Sequence, residues 1–371
     1  MPSLDVFRGD AFGTLSLSTA LNKMPYVPNR LGQLGIFKKQ GIVNTSVMVE
    51  ERNGKLMIVP NAARGSSPNA QGGRRRQART FVICHLPLAA NVMADDVQNI
   101  RSFGTENELE TVAEIVNDKL ADMRQNFEAT HEFHRIGAIQ GLLKDADGST
   151  IYDWYAEFGI TKPTADLAWA AGDLTAATNK VKNMCNSARR QIEDALGMDT
   201  YTGIRCVASQ QFIDAITSSL EVKESFKYQQ SQFLRDSQVR SEFRYAGVTF
   251  EEYRGNVPLS GSSAPFIPDN TATFFPEGAR DVFVENYGPA NFAETVNTKG
   301  LPTYAKQERM KFDLGIEIFG QSNPLIICNR PSVCVQSTMS GTAPSLLGSA
   351  EAGASGGGEK ITVPEDAKTK K

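Results

Sequence analysis

The sequence predicts a fold of the α+β class, and three features of its 371 residues support that prediction. The stretch from Thr105 to Lys144 has the longest uninterrupted helical pattern in the chain. Several shorter stretches alternate apolar and polar residues, as half-buried strands do. Residues 42–90 have the pattern of a β-hairpin that carries a long polar loop. Together these patterns predict a mixed fold of helices and strands.

The predicted long helix begins at a capping box and presents one apolar face. Thr105 and Glu108 have the spacing in which a hydroxyl and a carboxylate satisfy the free amides of a helix start. One stripe, which we expect to be buried, consists of Leu109, Val112, Val116, Leu120, Met123, Phe127 and His134. The opposite face, which we expect to be solvated, consists of Glu110, Glu114, Asp118, Asp122, Arg124, Glu128 and Arg135. At about 1.5 Å per residue the helix would span roughly 55 to 60 Å, which favours an elongated molecule.

Residues 1–41 have the pattern of an extended arm. Prolines and glycines interrupt every helical pattern there: Pro25, Pro28, Gly32 and Gly35. The apolar residues of the arm need a surface to lie on, either in this chain or in a neighbour: Leu31, Leu34, Ile36 and Phe37.

The next segment predicts a hairpin with a protruding loop. Residues 42–50 are rich in β-branched residues, and Asn53-Gly54 has the signature of a tight type I′ turn before a second strand at LMIVP, residues 56–60. Residues 62–78 are mostly Gly, Ser, Asn and Arg, and the strand pattern resumes at RTFVICHLPL, residues 79–88. Loops of this length are uncommon in compact domains unless they are functional or meet a partner.

Several shorter elements follow. Asp95 and Asp96 are candidate caps of a short helical turn before the long helix, and Asp147-Gly148 predicts a tight turn after it. A second helix is predicted from Thr164 to Leu196, with Gly197 as its end and an inner face of Leu174, Ala177, Val181, Met184, Ala188 and Ile192. Further predictions are strands at IRCVA, GVTFEEYRG, TATFFP and RDVFVENYG, with a helix over Ser209 to Ser218.

The end of the chain predicts strands and then a flexible tail. From Glu308 to Phe319 the alternation predicts one long half-buried strand with Met310, Phe312, Leu314, Ile316 and Ile318 on its buried side. The stretch NPLIICNRPSVCV predicts one or two more strand pieces. Residues 337–371 are rich in Gly, Ser and Ala and end in lysines, so we expect a flexible tail.

Composition narrows the class of protein. With 40% apolar and 22% charged residues the chain reads as a folded protein, and no apolar run is long enough for a transmembrane helix. The N-terminus lacks the pattern of a secretory signal, so we expect the chain to stay where it is made. The five cysteines form no C-x-x-C pair, and we expect reduced thiols. The net charge of −3 gives no general attraction to nucleic acid.

Three local patterns suggest chemistry, and each has a more common structural interpretation. His131 and His134 lie three residues apart, whereas the zinc-protease helix requires two histidines four residues apart. Glu128-x-x-His131 is half of a di-iron signature whose second half is absent from the sequence. Asp145, Asp147 and Gly148 resemble a calcium loop but lack its spacing, so a turn is favoured. We predict no catalytic residues, no metal site and no cofactor.

The predicted loop contains the main basic cluster of the chain. It consists of Arg64, Arg74, Arg75, Arg76 and Arg79. Nucleic-acid contact is one interpretation, but aromatic residues for base stacking are missing from the loop. Bidentate capture of carboxylates on a partner subunit is the favoured alternative, and a solvated loop is the third.

The order of these elements resembles the major capsid proteins of tailed bacteriophages, in particular the lambda-like major capsid protein E family. The residues that carry the resemblance are MPYVPNRLGQLGIF at 24–37, VMADDVQNIRSFG at 92–104, and ELETVAEIVNDKLADMRQNFEATHEFHRIGAIQG at 108–141 with DADGST after it. The resemblance extends over nearly the whole chain to about Val335 and is strongest over residues 7–160.

The resemblance implies a domain organisation and a set of partners. The implied parts are an N-terminal arm (1–41), an extended loop over a neighbouring subunit (42–90), a peripheral domain with the long helix as its spine (91–160), an axial domain (161–300) and a return to the peripheral domain (301–336). The flexible tail (337–371) follows and lies beyond the resemblance. The implied function is a structural shell protein of the virion, assembled in the host cytoplasm. The implied partners are copies of the chain in pentamers and hexamers, portal, scaffold or protease, a decoration protein, and packaged double-stranded DNA without sequence specificity; no membrane is implied.

Charged residues are the predicted contacts between subunits. We expect the loop arginines Arg64, Arg74, Arg75, Arg76 and Arg79 to pair with Glu110, Glu114 and Asp118 on the acidic face of the long helix. The alternative classes are a metal-dependent hydrolase that uses His131 and His134 and a nucleic-acid-binding module that uses the arginine loop.

Overall fold

The computed structural model describes residues 30–53, 75–93, 112–169, 179–227, 242–259 and 262–341, and their fold is α+β as predicted. The described α-helices are α1 (Arg30–Leu34), α2 (Val112–Gln140), α3 (Trp154–Phe158), α4 (Lys180–Leu196), α5 (Gln210–Ser218) and α6 (Leu220–Lys227). Single 3₁₀ turns are Ala293–Thr295, Lys311–Asp313 and Pro331–Val333.

The strands form one larger sheet and several small ones. In chain order they are β1 (Lys38–Gly41), β2 (Ser46–Asn53), β3 (Arg75–Val82), β4 (Leu86–Met93), β5 (Leu142–Lys144), β6 (Thr150–Asp153), β7 (Leu167–Trp169), β8 (Gly203–Ala208), β9 (Phe243–Tyr245), β10 (Val248–Glu252), β11 (Asn256–Leu259), β12 (Ser262–Pro265), β13 (Thr271–Glu277), β14 (Phe283–Tyr287), β15 (Tyr304–Arg309), β16 (Gly315–Ser322), β17 (Pro324–Cys328) and β18 (Val335–Gly341). The six-stranded sheet has the order β7-β18-β13-β8-β10-β9. Two three-stranded sheets have the orders β1-β14-β17 and β15-β16-β4, and three ribbons pair β2 with β3, β5 with β6 and β11 with β12.

The main hydrophobic core covers the six-stranded sheet. Helix α4 packs against β7, β13 and β18, and α5 packs against β10. Glu221 fixes the start of α4, because its carboxylate accepts hydrogen bonds from the Val181 and Lys182 amides at 3.2 and 3.0 Å. None of the described helices is long and apolar enough to span a membrane.

The predicted long helix is confirmed over its described part. Residues 94–111 lie outside the described residues, with Asp95, Asp96, the capping box, Leu109 and Glu110 among them. Val116, Leu120, Met123 and Phe127 are buried as predicted and pack against β4 and β16. The helix continues through Gly137, where a Cβ atom would lie 2.6 Å from the Leu142 carbonyl oxygen, and it ends at Gln140.

Two assignments to the solvated face of this helix are wrong, those of Glu128, whose side chain is only 12% exposed, and of Arg135. Arg135 is fully buried, and so are its neighbours from His131 to Ile139 apart from Phe133. The reason is that the last third of α2 is covered by β17 and α1 in addition to the core. The helical stripe therefore applies to the first part of α2 only.

The first strand of the predicted hairpin is confirmed, but the predicted turn at Asn53-Gly54 is wrong. The partner of this strand is residues 75–82, whereas the predicted partner LMIVP, residues 56–60, lies outside the described residues. β2 pairs antiparallel with β3, so that Ser46 lies opposite Val82 and Asn53 lies opposite Arg75. Asn53 thus belongs to the ladder with Arg75 and does not form a two-residue turn with Gly54. Residues 54–74 connect the two strands and lie outside the described residues.

The second predicted helix begins later than its pattern indicates. Leu167–Trp169 is an edge strand parallel to β18, and the described helix starts at Lys180. Its end at Gly197 and its buried positions Val181, Met184, Ala188 and Ile192 are as predicted, whereas Leu174 and Ala177 lie outside the described residues. Pairing with the sheet outweighs helical periodicity over residues 167–169.

The predicted long strand from Glu308 to Phe319 is wrong in its middle. The chain reverses at the turn Lys311–Asp313, and β15 and β16 pair antiparallel with Arg309 opposite Ile316. Ile316 and Ile318 are buried as predicted, but Phe312 and Leu314 are exposed. The apolar alternation continues across the turn, so it does not reveal the reversal.

The remaining predictions fall on described and undescribed residues. The strands at IRCVA, GVTFEEYRG, TATFFP, RDVFVENYG and NPLIIC, the helix after Ser209 and the turn at Asp147-Gly148 are confirmed. The tail begins later than predicted, because Ser337–Gly341 belongs to β18; residues 342–371 lie outside the described residues. Within the predicted arm, Leu31 and Phe37 are buried in this chain's own core, whereas residues 1–29 are not described.

Candidate intersubunit surfaces and buried charge networks

The structure describes the side chains of two of the residues predicted to contact other subunits. Asp118 is exposed on α2, and the Arg79 guanidinium carbon lies 5.5 Å from the centre of the Phe158 ring in the same chain. The remaining predicted contacts are not described at the side-chain level: Arg64, Arg74, Arg75, Arg76, Glu110 and Glu114. The predicted pairing of arginines with acidic residues therefore stays a prediction.

The ribbon of β2 and β3 has one packed face and one open face. On the packed face the Phe81 ring lies edge-on to Trp154, with their centres 5.3 Å apart. On the open face Met48 and Val82 are each 62% exposed. The ribbon thus presents apolar side chains outward from the chain.

A second apolar surface lies where β15 turns into β16. Phe312 is 92% exposed and Leu314 is 59% exposed, and Gly315 pairs with Met93, the exposed last residue of β4. We call Met93, Phe312 and Leu314 the apolar tip. Phe312 has φ of 64°, in the left-handed region that costs a residue with a Cβ roughly 1 to 2 kcal/mol.

Sequence reasoning missed the apolar tip because it assigned Phe312 and Leu314 to the buried side of one continuous strand. The sequence does hold one signal at this place, since Gly315 lies within the strand pattern. A glycine inside a strand pattern often marks a close approach of two backbones. In the structure a Cβ atom at Gly315 would collide with the Val92 carbonyl oxygen.

A buried charge network joins α2 to the rest of the fold. Arg135 is fully buried, and its Nε and Nη2 donate to the two carboxylate oxygens of Glu285 on β14, at 2.6 and 3.3 Å. Its Nη1 donates to Glu132 at 3.1 Å, and the Tyr287 hydroxyl donates to Glu285 at 2.6 Å. Burial, followed by the Glu285 charge, raises the pKa of Tyr287 well above its ordinary value, so this hydroxyl remains a donor.

Glu132 extends the same network to the arm. Its Oε1 accepts hydrogen bonds from the Leu31 amide at 2.7 Å and from the Tyr253 hydroxyl at 2.9 Å, and its Oε2 accepts one from the Gly32 amide at 3.3 Å. These amides belong to the first turn of α1, whose N–H groups have no partner within the helix. A carboxylate on the long helix therefore fixes the start of the arm helix.

A second charge network crosses the six-stranded sheet. Arg205 on β8 lies between Glu251 on β10, at 2.6 Å, and Glu277 on β13, with which it also forms an ion pair. Arg30 of α1 pairs with Glu251 as well, and Glu242 lies 3.4 Å from each arginine. Both networks hold α1 on this chain.

The two histidines of the long helix are part of the core. Ser322 Oγ donates to the Pro302 carbonyl at 2.6 Å and lies 2.8 Å from His131 Nε2, so that Nε2 carries the proton and donates to Ser322. His134 is 2% exposed. Within the described ranges no group of three or more His, Cys, Asp or Glu residues is arranged to hold a metal ion.

Removing Arg135 tests the first network. Arg135→Met leaves the carboxylates of Glu132 and Glu285 buried without their cation, which costs about 3 to 5 kcal/mol of unfolding free energy. Denaturant unfolding of the free chain measures this loss. Arg190→Met, at an exposed position of α4, is the matched control and should change stability by less than about 0.5 kcal/mol. Equal effects of the two substitutions would contradict a structural role for the network.

The buried histidines predict a loss of stability in acid. Burial lowers the pKa of His134 to about 4, and burial lowers the pKa of His131 well below its ordinary value. Because the unfolded chain binds these protons near pH 6.5, the stabilising contribution is complete above that pH and is lost as the pH falls towards about 4. Denaturant unfolding at pH about 7 and about 5 should show a smaller acid loss in His134→Leu than in the natural chain. Burial also raises the pKa of Glu128, but that group is present in both proteins and cancels in the comparison. Equal acid losses would refute this role of His134.

Comparisons with known proteins give the family. The family model described as phage major capsid protein E matches residues 13–339. The major capsid protein of Pseudomonas phage KPP10 is 28% identical over 339 residues, covering 84% of this chain and 93% of the relative. The major capsid protein of Salmonella phage Felix O1 is 24% identical over 356 residues, covering 86% of this chain and 95% of the relative.

A solved structure agrees at the level of fold. A protein assigned to a prophage capsid of Escherichia coli CFT073 superimposes with a TM-score of 0.56 at 12% identity, covering 88% of this chain and 99% of that one. Nothing in these comparisons supports a metal-dependent hydrolase or a nucleic-acid-binding module. The family match extends from the predicted arm into β18 and covers every described element, and the chain therefore belongs to the phage major capsid protein E family.

Proposed function

We propose that copies of this chain assemble into the closed icosahedral head shell of a tailed phage, around double-stranded DNA. Family membership makes the chain a structural capsid protein. The observation that carries the assembly mechanism is the apolar tip, where Phe312 is 92% exposed. A shell subunit meets further copies of itself along its edges, so such side chains gain a place to be buried.

The apolar tip combines exposure with backbone strain. An apolar side chain that is exposed to water contributes no hydrophobic stabilisation to the fold. A left-handed φ at a residue other than glycine adds backbone strain. Strained residues of this kind persist where a function requires their geometry. We infer that the tip of one copy packs on the open face of the β2–β3 ribbon of a neighbour, where Met48 and Val82 offer an apolar partner surface. Such a contact joins two different surfaces and can close into rings.

The charged residues supply a second class of contact in this proposal. Arginines 64, 74, 75, 76 and 79 would pair with Glu110, Glu114 and Asp118 of a neighbouring copy, because a guanidinium binds a carboxylate in bidentate fashion. In this arrangement residues 42–90 overlap the neighbour, α2 is the spine of a peripheral domain, and residues 161–300 form an axial domain. Pentamers and hexamers, a portal, a scaffold or protease and a decoration protein complete the set of proposed partners.

The apolar tip is tested by Phe312→Asn. Asparagine tolerates a left-handed φ, so the free chain should be as stable as the natural one or more stable by up to about 1 kcal/mol. Shell formation should fall sharply because the apolar ring is gone. Sedimentation and negative-stain microscopy of the chain, expressed alone and with its neighbouring genes, measure the yield of shells.

The matched control for this substitution is Met198→Asn, at a 75% exposed position in the turn after α4. It removes an exposed apolar side chain outside the tip and should leave the shell yield unchanged. Normal shells from Phe312→Asn would exclude the tip as an assembly contact. If the natural chain stays monomeric both when it is expressed alone and when it is expressed with its neighbouring genes, the shell proposal itself is wrong.

The arginine contact is tested by replacing Arg74, Arg75 and Arg76 together with Ala. We expect fewer or less heat-stable shells, with an unchanged unfolding midpoint of the free chain, because in this proposal the three arginines act between subunits and not within one. Arg190→Ala on α4 controls for loss of positive charge. Shells of natural yield and thermal stability from the triple variant would rule out this role.

A further inference from the structure

Two of the free cysteines lie against each other inside the core. Cys328 is the last residue of β17 and Cys334 directly precedes β18, so the two residues bracket the turn Pro331–Val333. Their sulfur atoms are 3.8 Å apart, and the residues are 0% and 1% exposed. The sequence shows only a C-x₅-C spacing here, which has no established meaning by itself.

The pair lies where the chain passes from one sheet to another. β17 belongs to the three-stranded sheet with β1 and β14, and β18 belongs to the six-stranded sheet. A covalent bond between the two sulfurs would therefore join the two sheets at their shared crossover.

The backbone around both residues is held in place. The Asn329 amide donates to the Val282 carbonyl at 2.8 Å, and the Cys334 amide donates to the Pro331 carbonyl at 3.1 Å. The Tyr155 hydroxyl donates to the Cys334 carbonyl at 3.1 Å. Because a disulfide needs sulfurs about 2.0 Å apart, bond formation requires the two sulfurs to approach by roughly 2 Å.

We propose that Cys328 and Cys334 form an oxidation site that closes to an intramolecular disulfide, with a small peroxide as the oxidant. One thiolate attacks a peroxide oxygen, the O–O bond breaks, and a sulfenic acid and hydroxide result. The second thiol attacks the sulfenic sulfur, the S–S bond forms, and the former sulfenic oxygen leaves as water. In total two thiols lose two electrons and two protons, and hydrogen peroxide is reduced to two molecules of water.

The surroundings of the pair determine when the bond forms. The contact with Cys328, followed by burial, raises the pKa of the Cys334 thiol well above its ordinary value. Since the thiolate is the nucleophile, oxidation should be slow at neutral pH and faster in base. The reducing cytosol keeps protein thiols reduced, whereas a virus particle outside its host is no longer exposed to the thiol reductants of the cell. That biological setting rests on the proposed function, but the chemistry of the pair does not.

The test uses the full chain and, separately, assembled shells, each treated with hydrogen peroxide at pH about 7 and about 9. The protein is then unfolded in denaturant with N-ethylmaleimide present, which labels every free thiol. Digestion with trypsin follows, and trypsin does not cut the Arg330–Pro331 bond. Peptide 312–360 thus contains Cys328 and Cys334 and no other cysteine. It should carry two maleimides before oxidation and none afterwards, with the loss of two hydrogen atoms. The conversion should be at least about tenfold faster at the higher pH, because the thiolate fraction of a thiol with a raised pKa rises roughly a hundredfold between the two pH values.

Two controls separate pairing from burial. Cys185 and Cys206 are equally buried and lie on other tryptic peptides, so each should keep its maleimide. Cys334→Ser should leave a maleimide on Cys328. Oxidation should raise the unfolding temperature of the natural chain, because the disulfide restricts the unfolded state, and should not raise that of Cys334→Ser.

Defined outcomes would overturn the inference. The first is that peptide 312–360 still carries two maleimides after peroxide treatment. Conversion of the exposed Met198 to its sulfoxide in the same sample shows that the peroxide has reacted with the protein. Another is a disulfide that joins separate chains. A disulfide in a chain that never forms shells would leave this inference intact while it contradicted the proposed function.

Discussion

The rest of the fold depends on how the buried guanidinium of Arg135 is satisfied. Its partners come from separate parts of the chain, with Glu285 on β14 and Glu132 on α2 itself, and Glu132 in turn binds the first amides of α1. A buried charge is tolerated only when its hydrogen-bonding partners are in place. The arm helix, the long helix and the three-stranded sheet must therefore be assembled together, in one register.

This constraint divides the long helix into two parts with different tasks. Its first part is amphipathic and packs Leu120 and Phe127 on β4 and β16. Its last part is enclosed on all sides and carries the charge network. The partition explains why one helix can belong both to a solvated surface and to the centre of the fold, and why its length exceeds the needs of a single core.

The sequence predicts the elements well where the local pattern of apolar and polar residues alone determines the structure. The stripe of Val116 and Leu120, the glycine stop at Gly197 and the strand at residues 203–208 each follow from local pattern alone. Prediction fails where tertiary contacts decide. Arg135 has the position of a solvated residue on a helical wheel, and only the distant Glu285 explains its burial. Leu167 and Trp169 follow a helical pattern, yet pairing with β18 makes them a strand.

The contact surfaces show the same division between local pattern and distant cause. The apolar tip was hidden from sequence reasoning because an alternating pattern predicts burial and does not say in which molecule the burial occurs. The arginines of the loop are visible as a cluster in the sequence, but their partners belong to no local pattern.

The distribution of polar and apolar side chains is the strongest physical argument for a lattice. Inside the chain, Arg135, Arg205, Glu132 and Glu285 occupy buried positions. Outside it, the side chains of Phe312 and Met48 are exposed to water. The buried ions give each subunit a defined register but little net stability, since desolvation offsets most of their attraction. The exposed apolar groups can add hydrophobic stabilisation only when a neighbouring copy removes them from water. In the proposed shell, contacts between copies would bury these apolar groups, and the same contacts would offset the cost of the strained backbone at Phe312.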